Sequence, residues 1–303
     1  MRVTCLGSGS SGNAVLVQTG QSAILIDAGF SRRALVSRMR QAGVTPESLS
    51  AILITHEHSD HACGAAAMAC QYHIPLVADP RTIRAVLDMP GVTVDQKQID
   101  RHDLPVGQST RIADMTVRSF PISHDAVAPC GFLLSTSAWS VFVATDTGEV
   151  REPMVEAMRE ASLLVIEANH DVDRLRNGPY PLHLKRRILG PTGHLSNAQA
   201  AQALLASLDD GPRWVWLAHL SRTNNTPDLA QTQVSAHLRA NGLAHVSLHV
   251  APPAVGPVWD TAALWGAPQQ ARLFPSDQPV PAATTVRARA FDRADSDVPD
   301  SDG

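Results

Sequence analysis

Short apolar runs cut by Gly, Asp or Ser fill the start of the chain: RVTCL, AVLVQT, SAILIDAG and AILIT, all before residue 56. Each has strand length and is rich in β-branched residues, which predicts strands. Residues 31–42, SRRALVSRMRQA, instead place apolar positions at helical spacing, with Ser31 as N-cap and Gly43 as the stop. TVRSFPIS, GFLLSTS and WSVFVATD then predict three strands in close succession. A second set follows: strand ASLLVIEAN, a basic helix near 179–189, helix SNAQAAQALLASL, strand RWVWLAHLS, a helix near 227–240 and strand HVSLHV. Two halves that each run from strands to helices imply an α/β (α+β) architecture, two sheets packed face to face with helices outside.

The pattern stops near Ala251, which sets a domain at 1–251. Residues 252–303 are rich in Pro, Ala and Asp and end in ADSDVPDSDG, the composition of a disordered acidic tail. Within it, DTAALWG is the one piece apolar enough to dock.

Composition changes this picture little. The hydrophobic fraction of 44% fills a sizeable core, and aromatics at 4% announce no stacking platform. A net charge of −4 excludes a global basic field, so any polyanion contact must be local. The opening MRVTCLGSGSSG lacks the pattern of an export signal and no run of 18 apolar residues occurs. A cytoplasmic protein without a membrane partner is therefore expected. Cys5, Cys63, Cys70 and Cys130 show no CxxC spacing and are expected as free buried thiols.

The chemistry concentrates in ILITHEHSDHACG, residues 52–64. His56 and His58 leave the strand two residues apart and so face the same way. If a helix starts near Ser59, Asp60 and His61 turn toward a neighbouring point. Two adjacent ligand sets from one turn are what a two-metal site requires, and nitrogen and oxygen donors without thiolate suit Zn²⁺ or Mn²⁺. Three more donors end strands: His124, Asp146 and His219. They complete His56, His58 and His124 for one ion and Asp60, His61 and His219 for the other, with Asp146 placed to bridge.

LIDAG with Asp27, THEHSDH, His124, TDTG around Asp146 and LAHLS with His219 together resemble the metallo-β-lactamase fold superfamily over roughly residues 1–250. The resemblance implies a four-layer αββα sandwich with a di-metal site at the strand ends, and Asp27 steadying the histidine-rich loop. GHLSN at 193–197 resembles the tRNA 3′-processing nucleases. GSGSSGN, HDAVAPCGF, EANHD, YPLHLKRRI and HLSRTNN resemble more closely the YycJ (WalJ) group of DNA exonucleases. Cys63 and Cys130 depart from that pattern. The resemblance implies 5′-to-3′ hydrolysis of DNA in repair or replication, with Asp60 orienting the attacking hydroxide and His194 serving the leaving oxygen.

Gly7-Ser-Gly9-Ser-Ser-Gly12 matches a dinucleotide fingerprint, but a strand and not a helix follows it, so that reading fails. The loop can still offer a phosphate contact through Ser10 and Asn13, or be a plain tight turn. Arg174, Arg176, Lys185, Arg186 and Arg187 form either a solvated face or a phosphate-backbone contact. Glu167, Asn169, His170 and Asp171 either orient ligands or substrate or cap a helix. A small-molecule or cyclic-nucleotide phosphodiesterase, a glyoxalase-type thioesterase and a non-catalytic scaffold remain the alternatives, because one metal site serves many substrates.

Overall fold

The apolar runs form two sheets. A computed structural model of the chain describes residues 1–209, 211, 213–264 and, as backbone, 285–286. The first sheet holds β1 (Arg2–Gly7), β2 (Ala14–Gln18), β3 (Ala23–Ile26), β4 (Leu49–Leu53), β5 (Leu76–Ala78), β6 (Arg101–Asp103) and β14 (Val258–Asp260), in the order β14-β1-β2-β3-β4-β5-β6. The second holds β7 (Ser109–Ile112), β8 (Met115–Pro121), β9 (Cys130–Ser135), β10 (Ser140–Ala144), β11 (Leu163–Glu167), β12 (Trp214–Ala218), β13 (Ser247–Val250) and β15 (Thr285–Val286), in the order β13-β12-β11-β10-β9-β8-β7-β15.

Central strands such as β3 (AILI), β10 (SVFVA) and β11 (LLVIE) are buried at every position, because both of their faces are covered. At the rim, β7 alternates exposed and buried residues. One core lies between the sheets, with Val17, Leu53, Phe132, Val143 and Trp216 among its members. A second lies under α1 (Arg32–Gln41), α3 (Ala65–Tyr72) and α4 (Pro80–Leu87), and a third under α5 (Glu152–Glu160), α8 (Asn197–Ser207) and α9 (Pro227–Ala240). The result is the four-layer αββα arrangement. Local signals hold where they were read, since Ser31 caps α1 and Gly43 adopts φ +77°; the structure adds a capping box of Ser196 and Gln199 on α8.

Two expectations need correction. The fold does not end at Ala251: β14 pairs antiparallel with β1 (Val3↔Trp259), Trp259 is 4% exposed in the inter-sheet core, and Leu264 packs against it. One indole and a free strand edge are enough to hold residues 258–264, which average composition hides. The rest of the expected tail, including Trp265 and Gly266 of DTAALWG, lies outside the described residues apart from β15. The thiols are all free, but only Cys5 and Cys130 are buried, and Cys63 is exposed. Among the described residues no helix is long and apolar enough to cross a membrane.

Candidate metal centre

Parallel pairing of β3 with β4, and of β10 with β11 and β12, brings the carboxyl ends of these strands to one rim of the sandwich. Asp27 follows β3, Asp146 lies just past β10, Glu167 closes β11 and His219 follows β12. Asp27, Asp146 and His219 have φ of 60°, 58° and 55°. Non-glycine residues held there cost on the order of 1–3 kcal/mol each, and the surroundings must enforce them. At two of the three they do: Asp27 N–H donates to Leu53 O, His219 N–H donates to Ser8 Oγ over 2.7 Å, and Asn169 Nδ2 donates to His219 O.

The histidine-rich loop runs into a four-residue helix, α2 (Ser59–Ala62), which starts at the expected residue. Backbone bonds from Asn13 to Asp60 O and from Ala28 to His61 O pin it down. The contact is so close that a Cβ on Gly29 would stand 1.7 Å from Asp60 O, so this position requires glycine.

His56, His58 and His124 form a triangle, with ring centroids 4.7, 5.1 and 5.0 Å apart. Asp60, His61 and His219 form a neighbouring group, and the donor atoms of each set lie within 4.8 Å of one another. Asp146 stands between them, Oδ2 2.9 Å from His61 Nε2 and Oδ1 3.9 Å from His124 Nε2. The structure thus brings together all seven expected donors.

Buried partners fix the far side of the rings. His61 Nδ1 meets Asp27 Oδ2 at 2.7 Å, and Asp27 also accepts from Thr55 N and Oγ1. His124 Nδ1 meets the carbonyls of Thr192 and Gly193, and His219 Nδ1 meets Glu167 Oε1 at 2.8 Å. Carboxylates and carbonyls behind ligating histidines set tautomer and orientation in this way. The donor set fits a cation. Among the described residues His56 Nε2 and His219 Nε2 are buried without a hydrogen-bond partner, a costly arrangement that a divalent ion would relieve. A further group, Asp146, Glu167, His194 and His219, suits a metal less well, because Glu167 already accepts four hydrogen bonds.

The electrostatics follow from the same packing. Burial alone would lower the His61 and His219 pKa values, yet Asp146 and its neighbouring carboxylates hold His61 well above the ordinary value and His219 at about 10. Burial and the surrounding histidines push His56 well below it. Burial opposes ionisation of Glu167, but His194 and His219 bring its carboxyl down to about 2.

The donors open into a cleft of about 270 Å³ lined also by Ser10, Asn169, Tyr180, Leu184, Arg187, Ile188, His194 and Ser221. Of the other expected contacts, Ser10 and Arg187 face this cleft. Asn13 does not line it: it is buried, and its amide meets Gly9 N, Gly9 O, Asp60 O and, at 3.0 Å, His61 Nε2, so it braces the glycine loop against the histidine-rich turn. Lys185 Nζ turns back to Arg176 O, and Arg186 points to solvent. His170 is fully buried, where burial pushes its pKa down to about 4, and it does not line the cleft. Glu167 is the residue that sequence left ambiguous. Its place at the end of a strand lying between those of Asp146 and His219 was the available signal.

Residues 22–220 match the Beta-lactamase superfamily domain. The chain belongs to this superfamily. Within the superfamily, it is 38% identical over 250 residues to the exodeoxyribonuclease WalJ of Streptococcus pneumoniae, covering 82% of this chain and 90% of that one. It is also 38% identical over 243 residues to the exodeoxyribonuclease YycJ of Bacillus anthracis, covering 80% and 90%. The metallo-β-lactamase fold protein YhfI from Bacillus subtilis superposes with a TM-score of 0.65 at 18% identity, over 85% of this chain and 98% of that chain, a likeness of fold. Superfamily membership and the donor set together imply a hydrolase that works with divalent metal.

Proposed function

We propose that this chain is a metal-dependent exonuclease that removes nucleotides from DNA in the 5′-to-3′ direction, working in the cytoplasm in repair or replication. Two ions, Zn²⁺ or Mn²⁺, would be held by His56, His58 and His124 and by Asp60, His61 and His219, with Asp146 shared. The observation that carries this reading is an intact two-pocket donor set opening into one cleft, in a chain that matches two exodeoxyribonucleases over nine-tenths of their length.

When bound, such a pair supplies Lewis acidity, making water more acidic and offsetting charge on the phosphoryl oxygens. The protein does the rest. Asp60, its pKa lowered against burial by His219 and His61, stays ionised and orients the attacking water by accepting a hydrogen bond from it. Its carboxylate is 24% exposed toward the cleft, 3.5 Å from His219 Nε2. His194 donates Nδ1–H to Glu167 over 2.8 Å, and against burial Glu167 and Asp146 raise its pKa, so the protonated ring also carries an Nε2–H to hand to the leaving oxygen. Arg187, held by Asp125 at 2.6 Å, offers the phosphate backbone a fixed cation.

The test is a substrate panel with Mn²⁺ or Zn²⁺: single- and double-stranded DNA, RNA and a cyclic dinucleotide. Release of mononucleotides from the 5′ end of DNA is expected. Cleavage of the cyclic dinucleotide alone would move the chain to the small-molecule phosphodiesterases, and cleavage of RNA alone would reassign the nucleic acid.

A further inference from the structure

We propose that Tyr180, Leu184 and Ile188 form a nucleobase-binding wall in the cleft, with the Tyr180 ring as the surface on which the 5′-terminal base stacks. This rests on the nuclease reading and names a part of the site that metal chemistry leaves unused.

Leu184 and Ile188 are spaced four apart on α7 (Leu182–Ile188) and share one face, and Tyr180, in the extended segment just before the helix, lines the same cleft. In a surface helix such a stripe ordinarily turns to the protein's own core. Here that face lines the cleft, and Tyr180 and Leu184 remain half-buried among the described residues. The Tyr180 hydroxyl has no hydrogen-bond partner among the described residues. Hydrolysis of a phosphodiester calls on ionic donors and gives no reason for an apolar wall a few side chains from the ligands.

The substrate does. A nucleotide carries an anionic group and a flat, weakly polar ring side by side. α7 addresses both: Arg187 faces the cleft beside the stripe and is held by Asp125, which lies 3.3 Å from His124 Nε2. A phosphate drawn to the metal side thus places its base against Tyr180, the one Phe, Tyr or Trp lining the cleft among the described residues. At about 270 Å³ the cavity is at the small end for ligand sites, so it takes one nucleotide and not a duplex end. The ring is also prepared for the contact. Pro179 and Pro181 flank it, and Lys185 Nζ ties α7 to Arg176 O over 2.7 Å. Stacking accepts every base, which is what an exonuclease without sequence preference needs.

The experiment uses two single-stranded oligonucleotides, identical except that one ends at its 5′ side in an abasic nucleotide. Wild-type protein is expected to cleave the normal end faster. Tyr180→Ala should lower kcat/KM on the normal end roughly 5- to 150-fold, the range for losing one stacked base. It should leave the abasic end unchanged, with metal content and melting temperature preserved. Tyr180→Phe should behave as wild type. An equal loss on both ends, no loss on either, or a Phe variant as poor as Ala each overturns the stacking role. Failure of wild-type protein to cleave either oligonucleotide overturns the nuclease reading, and this inference with it.

Discussion

His194 Nδ1 stands 2.8 Å from Oε1 of Glu167, a carboxylate with no solvent exposure. Glu167 also accepts from His219 Nδ1 and from the backbone N–H groups of Thr147 and Leu195. A carboxylate can accept all four, and an amide cannot. Glu167→Gln should therefore misorient both imidazoles, and metal affinity or turnover should fall roughly 10- to 100-fold. Isothermal titration with Zn²⁺ and a nuclease assay would check this. Unchanged values in both would remove Glu167 from the site's support.

His194→Ala separates proton transfer from metal binding. It should keep its metal and lose about 100-fold or more on DNA, whose leaving oxygen needs a proton. On a substrate that releases nitrophenolate the loss should be much smaller. Equal losses would make His194 a phosphoryl-binding group.

Asp146→Ala removes the carboxylate that lies between the two donor sets. Bound metal and activity should fall together while the circular dichroism spectrum is retained. Two equivalents of metal in the variant, by elemental analysis, would show the assignment of Asp146 to be wrong.

Asp79 supplies a pH-dependent part of stability away from the site. It caps α4 by accepting from Arg81 N, and Arg81 Nε donates to it at 2.9 Å. The Arg81 side chain holds its pKa below the ordinary carboxylate value. A lowered folded pKa means stabilisation that is present above the unfolded value, about 3.9, and lost as pH falls through the folded one. Asp79→Ala should cost about 1–2 kcal/mol at pH 7, and its difference from wild type should shrink below pH 4 in denaturant titrations. A gap that stays constant down to pH 2 would exclude an ionic origin.

Trp259 anchors β14, contacting Trp139 and Trp214 with ring centroids at 5.5 and 5.7 Å. Trp259→Ala should cost roughly 3–5 kcal/mol, and a chain ending at Val255 should melt well below the full chain. A chain ending at Leu264 loses the two-residue pairing of β15 with β7 but keeps β14, and should melt close to the full chain. Equal melting of the full chain and the one ending at Val255 would mean β14 contributes nothing.

The sequence made the first-half strands and the seven donors legible because both depend on local order: alternating or continuous apolar runs, and donors set at strand exits. What it left open depends on distance. Asn13 looked like a phosphate contact in a glycine loop, and only its bond to the Asp60 carbonyl, 47 residues away, shows it to be a brace. Lys185, Arg186 and Arg187 are neighbours in sequence, yet a helix sends adjacent residues about 100° apart, so Arg187 alone of the three meets the cleft. β5 and β6, only three residues each, carry too little pattern to be read.

The left-handed backbone at Asp27, Asp146 and His219 bears on how such a protein can lose its activity. Aspartate, asparagine and histidine are the non-glycine side chains that best tolerate this conformation. Conformation and chemistry therefore draw on overlapping shortlists at these three positions. An aspartate that drifts to asparagine surrenders its charge while leaving the turn undisturbed. A catalytically silent descendant would then keep the shape of its ancestor almost unaltered, and architecture alone would never betray the change.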